Sequence, residues 1–245
     1  MVPREALLML DLWGMKLPEL SVFFPAYNEE KNITSTVEAA LKVLPTVAHK
    51  WEILIINDGS ADKTAFIADS LAKTYNNVKV LHHKKNQGLA LAWRDGIKAC
   101  KKDIILYIEG DGQQPFKDQL DLLKKIKNAD MVLGVRTHRF DYTLFRKALS
   151  YGYLFLIWLF FNLKYKDVGW SQAYRRKIFS KIKIKSVTPF FDTEVIIKAQ
   201  KFGFKVVEAD SFYRPREAGS TNLGNLQTAY KMFLEMLKMK FGFLD

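Results

Sequence analysis

Hydrophobic runs alternate with amphipathic segments along the first half of the chain. Segments with apolar side chains at helical spacing occupy residues 32–44, 60–75, 88–101 and 115–127. Between them lie short runs rich in β-branched and aromatic side chains, as in buried strands. These runs are residues 20–24, 51–56, 78–81, 104–108 and 130–134. The alternation predicts an α/β fold with a mostly parallel, Rossmann-like sheet flanked by helices.

Two of the predicted helices carry local start signals. Ser60 is predicted to be the N-cap of the second helix, with Asp62 in its first turn, where a negative charge favours the helix dipole. Pro115 is predicted to begin the fourth helix, since proline suits a first helical position. Both signals agree with the helix starts that the apolar spacing predicts.

The pattern changes after Arg136. Residues 147–164 form an apolar segment that contains Tyr151, Tyr153 and Trp158 and has lysines at both ends. The segment is shorter than the roughly 20 apolar residues that a bilayer span needs. Aromatic and Lys side chains at a boundary are typical of a helix in the membrane interface. We therefore expect an amphipathic membrane-surface helix here, with a buried core helix as the alternative.

The last part of the chain predicts a second amphipathic helix. A helix over 190–202 and a strand over 205–209 precede an apolar stripe over 226–241, which would lie on a membrane surface or against a partner subunit. No hydrophobic hairpin follows, so we expect no transmembrane anchor. The chain thus divides into an N-terminal extension (1–19), an α/β half (20–136), a second half with the interface helix (137–221) and a C-terminal amphipathic helix (222–245).

The net charge of the chain indicates its class of partner, and its cysteine content indicates its compartment. The 245-residue chain has 38 Lys and Arg against 26 Asp and Glu, a formal net charge of +12, which favours anionic partners such as nucleotide phosphates and lipid headgroups. The single cysteine, Cys100, excludes an internal disulfide and favours a cytoplasmic setting. Residues 1–20 are too acidic, and their apolar run too short, for a signal peptide. Nucleic acid is not an expected partner, because acidic residues follow the strands and no nucleic-acid-binding motif occurs.

Polar segments follow all five predicted strands of the first half. The carboxyl ends of parallel strands share one edge of a sheet, where ligands collect. The chain has neither a Gly-x-Gly-x-x-Gly nor a Walker motif, so any phosphates would be held mainly by metal and basic side chains. In the segment Glu109-Gly110-Asp111-Gly112-Gln113, oxygen ligands at open spacing suit a hard divalent cation that also holds phosphate oxygens. An ordinary acidic turn is the alternative for this segment.

Taken in order, these segments resemble the motifs of one family. Pro-Ala-Tyr-Asn-Glu-Glu (25–30), Asn-Asp-Gly-Ser-x-Asp-x-Thr (57–64), Asn-x-Gly-x-x-x-Ala (86–92), Glu-x-Asp-x-Gln (109–113) and Gly-x-Arg (134–136) are similar to those of the family 2 glycosyltransferases of the GT-A fold. Within that family the chain most resembles the polyprenol-phosphate sugar synthases, such as dolichol-phosphate mannose synthase. The resemblance spans residues 20–221 and is specific because the motifs occur in order.

The resemblance implies a donor site in the α/β half and an acceptor site in the second half. It places Arg136, Arg146 and Ser150 at the acceptor phosphate, and Asp111, Arg136 and Arg146 as the catalytic residues. The spacing of Arg146 and Ser150 puts both on one helical face. Glu109, Asp111 and Gln113 would surround Mg²⁺ or Mn²⁺. The implied nucleotide-sugar residues are Pro25, Tyr27, Glu29, Ile56, Asp58, Glu109, Asp111, Gln113, Arg214 and Arg216.

Two positions depart from the family pattern. Glu109 stands where the family usually has Asp, which moves the carboxylate by one methylene and puts the metal preference in question. Asn57 likewise replaces a common Asp, and we interpret its amide as tying a turn.

The activity that the resemblance implies is a metal-dependent, inverting hexose transfer. The donor would be a nucleoside diphosphate sugar of the GDP-mannose or UDP-glucose type, and the acceptor a dolichyl or undecaprenyl phosphate. The enzyme would be peripheral, on the cytoplasmic face of the membrane, with a small membrane subunit as a candidate partner.

Two other functions stay open from the sequence. The first is a family 2 enzyme with a glycan hydroxyl acceptor, which needs a general base such as Asp192 or Glu194, although we interpret Asp192 as stabilising a helix start. The second is a non-catalytic module that binds nucleotide sugars or a membrane surface.

Overall fold

The computed structural model describes residues 16–137, 142–212, 214 and 226–244. The strands within these residues are β1 (Leu17–Ala26), β2 (Ala48–Asn57), β3 (Val78–His82), β4 (Ile104–Tyr107), β5 (Met131–Arg136), β6 (Gln172–Arg175) and β7 (Val206–Ser211). They form one sheet in the order β3-β2-β1-β4-β6-β5-β7. Neighbouring strands are parallel except where β6 pairs antiparallel with β4 and β5. The predicted mostly parallel α/β sheet is therefore confirmed.

Helices cover both faces of this sheet. Two short 3₁₀ helices, Phe116–Gln119 and Ile126–Asn128, lie on either side of the helix Leu120–Lys125. The α-helices are α1 (Ile33–Val47), α2 (Thr64–Thr74), α3 (Leu89–Ala99), α4 (Leu120–Lys125), α5 (Leu144–Phe161), α6 (Ile178–Lys181), α7 (Phe191–Lys201) and α8 (Leu226–Lys240).

Two details of the predicted elements are wrong. Strand β6 was not predicted as a strand, because its four residues lie between two other strands and show no alternation of apolar and polar positions. Ser60 is not an N-cap, since α2 begins only at Thr64. The Asp62 carboxylate instead accepts a hydrogen bond from the Thr64 amide, at 2.9 Å, while the Ser60 hydroxyl accepts one from the Asn28 amide, at 3.0 Å.

The core consists of two apolar layers, one on each face of the sheet. The first layer joins α1, α2 and α4 to the sheet. The second contains Trp93 of α3, whose ring lies 4.9 Å from Phe191 of α7 and 6.0 Å from Tyr174 of β6, between ring centroids. These aromatic contacts hold the second half of the chain against the nucleotide-binding half that the sequence predicts.

Helix α5 packs against the second layer by one side only. Its 18 residues begin at the N-cap Thr143, whose hydroxyl accepts from the Arg146 amide. On the inner side Ile157 is buried, and the Tyr153 hydroxyl is 2.7 Å from that of Thr193 in α7. Most of the other side is exposed and apolar, which excludes the alternative of a buried core helix. The large exposed side chains are Leu144, Phe145, Tyr151, Phe155, Trp158 and Leu159.

By length and composition alone, α5 could cross a membrane. This finding corrects the expectation that the segment is too short to do so. The side that faces Thr193 and the core nevertheless carries protein contacts, among them a hydrogen bond from Lys240 of α8 to the Phe160 carbonyl, at 2.6 Å. One side of α5 therefore packs against the protein, and the other side is exposed and apolar. This arrangement is typical of a helix that lies in the membrane interface.

Candidate active site

The polar segments after the strands lie together at one edge of the sheet. Backbone hydrogen bonds join them in sequence: the Asp58 amide donates to Ala26, the His83 amide to Asn57 and the Gly110 amide to Pro25. Because β1 to β5 all run in the same direction, their carboxyl ends share this edge, hereafter the carboxyl edge. The predicted gathering of these segments at one edge is therefore confirmed, and ligand binding at that edge stays a prediction.

The segment after β1 is held by the segment after β2. The Glu29 amide donates to the Thr64 hydroxyl at 2.8 Å, and the Glu30 amide donates to the Asp62 carboxylate at 3.1 Å. These bonds fix Tyr27, which is 39% exposed, at the surface of the edge. Tyr27 and Glu29 are thus placed where a nucleobase could reach them, and their role in binding it stays a prediction.

Three of the predicted nucleotide contacts are buried. Ile56 is fully buried in the second apolar layer. Asp58 is also buried, and its carboxylate accepts from the Gln87 and Gly88 amides at 2.9 and 2.8 Å and lies 2.7 Å from His83 Nδ1. Asp58 therefore holds the loop that leads into α3, and its contact with the nucleoside stays a prediction. Pro25 is buried as well, within β1.

Asn57 behaves as predicted. Its side-chain oxygen accepts from the Ser60 amide at 3.2 Å, which ties the turn after β2. Gly59 in that turn has φ of +66°, and a Cβ there would come within 2.3 Å of the Lys85 backbone. The turn therefore needs glycine to let the two loops approach.

The predicted metal motif lies directly after β4. Asp111 is 4% exposed and its carboxylate accepts from the Gln113 amide at 3.0 Å, while Glu109 accepts from the Tyr107 hydroxyl at 3.3 Å. The Arg214 amide donates to the Gln113 carbonyl at 3.1 Å, so Arg214 adjoins this motif. Arg216, the other predicted diphosphate contact, lies outside the described residues.

Carboxylates concentrate at this corner. Burial, together with Glu109, Asp192 and Asp111, raises the pKa of Tyr107 well above its ordinary value. Burial and the charge of Glu109 likewise raise the pKa of Asp192, against the opposing effect of Arg136. Asp192 lies in the first turn of α7 and accepts from the Gln172 amide group at 3.2 Å. The fold thus brings Asp192 to the corner formed by Glu109 and Asp111, which the sequence spacing does not reveal.

The donor set of this corner fits a hard divalent cation only in part. Among the described residues, no cluster of three or more His, Cys, Asp or Glu side chains could hold a metal ion. Glu109 and Asp111 offer carboxylates and Gln113 an amide oxygen, which are ligands that Mg²⁺ accepts while it keeps water or phosphate oxygens. The residues present therefore fit a cation that takes its remaining ligands from a bound diphosphate.

Arg136 is already paired within the protein. Its Nε and Nη2 donate to the two carboxylate oxygens of Asp167, both at 2.6 Å, and its Nη1 donates to the Tyr142 hydroxyl at 2.7 Å. Burial by itself would lower the pKa of Arg136, but the Asp167 carboxylate raises it above its ordinary value. The sequence predicts that Arg136 binds the acceptor phosphate, but it does not reveal that Asp167 is the buried partner of Arg136.

Tyr142 links the two predicted acceptor arginines. The Arg146 guanidinium lies 3.9 Å from the centre of the Tyr142 ring, whose hydroxyl receives the hydrogen bond from Arg136. Ser150 follows Arg146 by one turn of α5 and so shares its face. The structure thus brings the predicted acceptor residues together, beside a carboxyl edge that is acidic. Their contact with a phosphate stays a prediction.

Glu194 is a structural residue. It is fully buried, pairs with Lys198 at 2.8 Å and accepts from the Lys185 and Ser186 amides at 2.9 and 2.8 Å. A carboxylate with these partners is not available as a general base at the carboxyl edge. Glu194 therefore does not support the alternative of a hydroxyl acceptor.

We expect Glu194→Gln to lower stability without a specific effect on catalysis. Gln keeps the shape but weakens the pairing with Lys198, so the free energy of unfolding should fall by about 2 kcal/mol. Denaturant unfolding measures this change, and steady-state kinetics below the unfolding range should give kcat and KM close to those of the wild type. A loss of kcat with unchanged stability would contradict the structural role.

Asp192→Asn should change how stability depends on pH. The folded-state pKa of Asp192 is raised, so the stability that its protonated form contributes is complete below the ordinary Asp pKa and is lost as the pH rises through the folded value. Asn imitates the protonated form at every pH. In metal-free buffer, the Tm of the variant should match that of the wild type in acid and exceed it by a few degrees at neutral pH. A Tm difference that does not vary with pH would contradict this assignment.

Comparison with known proteins identifies the family of this chain. A model of the family described as glycosyl transferase family 2 matches residues 21–183. A dolichyl-phosphate beta-glucosyltransferase from Dictyostelium discoideum is 28% identical, over 92% of this chain and 75% of the relative. A dodecaprenyl-phosphate galacturonate synthase from Rhizobium johnstonii is 26% identical, over 91% of this chain and 67% of the relative.

Solved structures show the same fold. Glucosyl-3-phosphoglycerate synthase from Mycobacterium tuberculosis, crystallised with Mn²⁺, UDP and glucosyl-3-phosphoglycerate, superposes with a TM-score of 0.71 at 16% identity and covers 93% of this chain and 81% of its own. At that identity the likeness concerns the fold alone, whereas the family model matches well over half of the sequence. The protein therefore belongs to glycosyl transferase family 2.

Proposed function

We propose that the protein transfers a hexose from a nucleoside diphosphate sugar to a polyprenyl phosphate. The observation that carries the proposal is that Arg136, which Tyr142 links to Arg146, interacts electrostatically with Glu109 of the acidic corner after β4, at the start of a helix with an exposed apolar side. The names of the relatives from Dictyostelium and Rhizobium specify prenyl phosphates, which supports the same acceptor class.

The donor diphosphate would lie at the acidic corner. Glu109, Asp111 and Gln113 would hold Mg²⁺ or Mn²⁺, which supplies positive charge to the leaving diphosphate. Arg214 adjoins this motif through its hydrogen bonds with Gln113, and its guanidinium lies 3.3 Å from Asp118. By exchanging Asp118 for a diphosphate oxygen, Arg214 would add a second cation to the leaving group.

The acceptor phosphate requires no general base. One of its oxygens is already an anion, so it attacks the anomeric carbon as the bond from that carbon to the diphosphate breaks, with inversion. Arg146, stacked on Tyr142, would place this phosphate in line, and Arg136 would hold the tyrosine. Glu194 is locked by Lys198 and is not free to act as a base. This feature supports a phosphate acceptor over a hydroxyl acceptor.

The exposed apolar side of α5 would lie on the membrane that holds the acceptor. Aromatic side chains such as Trp158, 45% exposed, are suited to the boundary between headgroups and acyl chains. We place the enzyme as a peripheral protein on the cytoplasmic face, where nucleotide sugars are available.

A transfer assay with purified protein tests the proposal. Radiolabelled UDP-glucose, UDP-galactose, UDP-glucuronate and GDP-mannose would each be incubated with Mn²⁺ or Mg²⁺ and a short-chain prenyl phosphate, and organic extraction would measure lipid-linked sugar. We expect one donor to give a product that depends on the divalent cation. The matched prenyl alcohol, which lacks the phosphate, should give none.

Two results would contradict the proposal. Transfer to the alcohol at an equal rate would show that the phosphate is not the nucleophile. Transfer to a soluble glycan with no lipid product would favour the hydroxyl-acceptor alternative.

A further inference from the structure

A cavity of about 530 Å³ lies on the flank of α5, apart from the acidic corner. We call it the flank pocket. It opens between α5, the end of β5 and the segment that follows α5. The residues that form it are Arg136, Thr137, Lys147, Tyr151, Leu154 and Lys166.

The flank pocket contains two lysines that form no ion pair among the described residues. Among the described residues, neither the Lys147 nor the Lys166 ammonium group pairs with a carboxylate, whereas the charge of Arg136 is balanced by Asp167. Glu208 is close to Lys166, but its carboxylate accepts from the Lys166 backbone amide, at 2.6 Å. The pocket therefore favours an anionic ligand.

A buried hydroxyl adds a third donor. Thr137 Oγ1 has almost no solvent access and no hydrogen-bond partner within the described part of the chain. A buried hydroxyl without a partner is unfavourable unless a ligand or water satisfies it. A phosphate group that displaced the atoms covering Thr137 Oγ1 would satisfy this hydroxyl while pairing with the two ammonium groups.

The position on α5 separates the lysine side of this pocket from Arg146 and Ser150, whereas Arg136 both lines the pocket and belongs to the predicted acceptor site. Lys147, Tyr151 and Leu154 have the spacing i, i+4, i+7 and share one helical face. At roughly 100° per residue, this face is about a quarter turn from that of Arg146 and Ser150. It adjoins the exposed apolar side, so the flank pocket would lie at headgroup depth when that side rests on a bilayer.

We propose that the flank pocket binds the phosphate headgroup of an anionic membrane phospholipid. The proposal rests on the proposed function only in that α5 meets a membrane. Binding there would set the depth and rotation of α5 and so fix the carboxyl edge relative to the bilayer. Charged lysines attract anionic lipid, while the buried threonine hydroxyl makes the contact local.

Vesicle flotation without substrates tests this proposal independently of transfer. The full-length protein would be mixed with vesicles of phosphatidylcholine, with or without phosphatidylglycerol. We expect Lys147→Ala combined with Lys166→Ala to weaken binding to the anionic vesicles about tenfold or more. Thr137→Val, which leaves the charge unchanged, should weaken it about threefold. The control, Lys164→Ala combined with Lys181→Ala, removes the same charge from exposed positions outside the pocket and should weaken it less than about twofold.

Thermal unfolding of each variant would first establish that it is folded. Equal losses in the two double variants, with Thr137→Val binding like the wild type, would show diffuse attraction and overturn the proposal. A raised KM for short-chain prenyl phosphate in detergent, with flotation unchanged, would assign the pocket to the acceptor and also overturn it. If no donor supports transfer, the flotation result still decides this proposal.

Discussion

Asp111→Asn is expected to lower hexose transfer by roughly a thousandfold, because the variant loses a negative charge that would hold the cation at the leaving diphosphate. Asn retains an oxygen that can accept the hydrogen bond from the Gln113 amide, which Asp111 accepts at 3.0 Å. The turn after β4 should therefore keep its shape. The measurement is kcat in the lipid-extraction assay, together with the rise in Tm that Mn²⁺ and UDP produce.

The matched control for this prediction is Asp121→Asn. Asp121 is an exposed carboxylate of α4 that pairs only with Lys124 among the described residues, at 2.9 Å. It should retain both turnover and the ligand-induced rise in Tm. Wild-type turnover in Asp111→Asn, with the same dependence on Mn²⁺, would remove the acidic corner from the mechanism.

Asp167→Ala is expected to lower the free energy of unfolding by about 4 kcal/mol. The Arg136 side chain is 12% exposed and has two hydrogen bonds to Asp167, so the substitution leaves a buried guanidinium without its counter-charge. The remaining contacts, with the Tyr142 hydroxyl and the Trp170 ring, do not neutralise it. Denaturant unfolding at neutral pH measures the loss.

An exposed pair provides the comparison for this effect. Asp103 pairs with Arg175 at 3.1 Å, with about half of the Asp side chain exposed, and Asp103→Ala should cost less than about 1 kcal/mol. The double substitution Arg136→Met with Asp167→Leu should regain much of the stability lost in Asp167→Ala, because it leaves no unpaired charge. An equal cost for Asp167→Ala and Asp103→Ala would show that Arg136 does not depend on its partner.

The sequence alone was sufficient for features that depend on neighbouring residues. Runs of β-branched residues and helical spacing located β1 to β5 and the helices between them, because each pattern reports which side of its own element is buried. The parallel arrangement followed from the alternation, and it placed the segments after the strands at one edge. Asn57 was predicted to tie its turn, since its partner, the Ser60 amide, lies three residues away.

The tertiary structure decided the roles of side chains whose partners are distant in the chain. Asp58 bonds to amides 29 and 30 residues away, and Arg136 pairs with Asp167 across 31 residues. Asp192 reaches the corner of Glu109 and Asp111 only because α7 packs beside β4 and β6. Strand β6 pairs antiparallel between two parallel strands, a placement that its four residues do not encode locally. Local pattern thus determined the sheet and its carboxyl edge. Contacts that only the folded chain creates determined which charged side chains are free to meet a ligand.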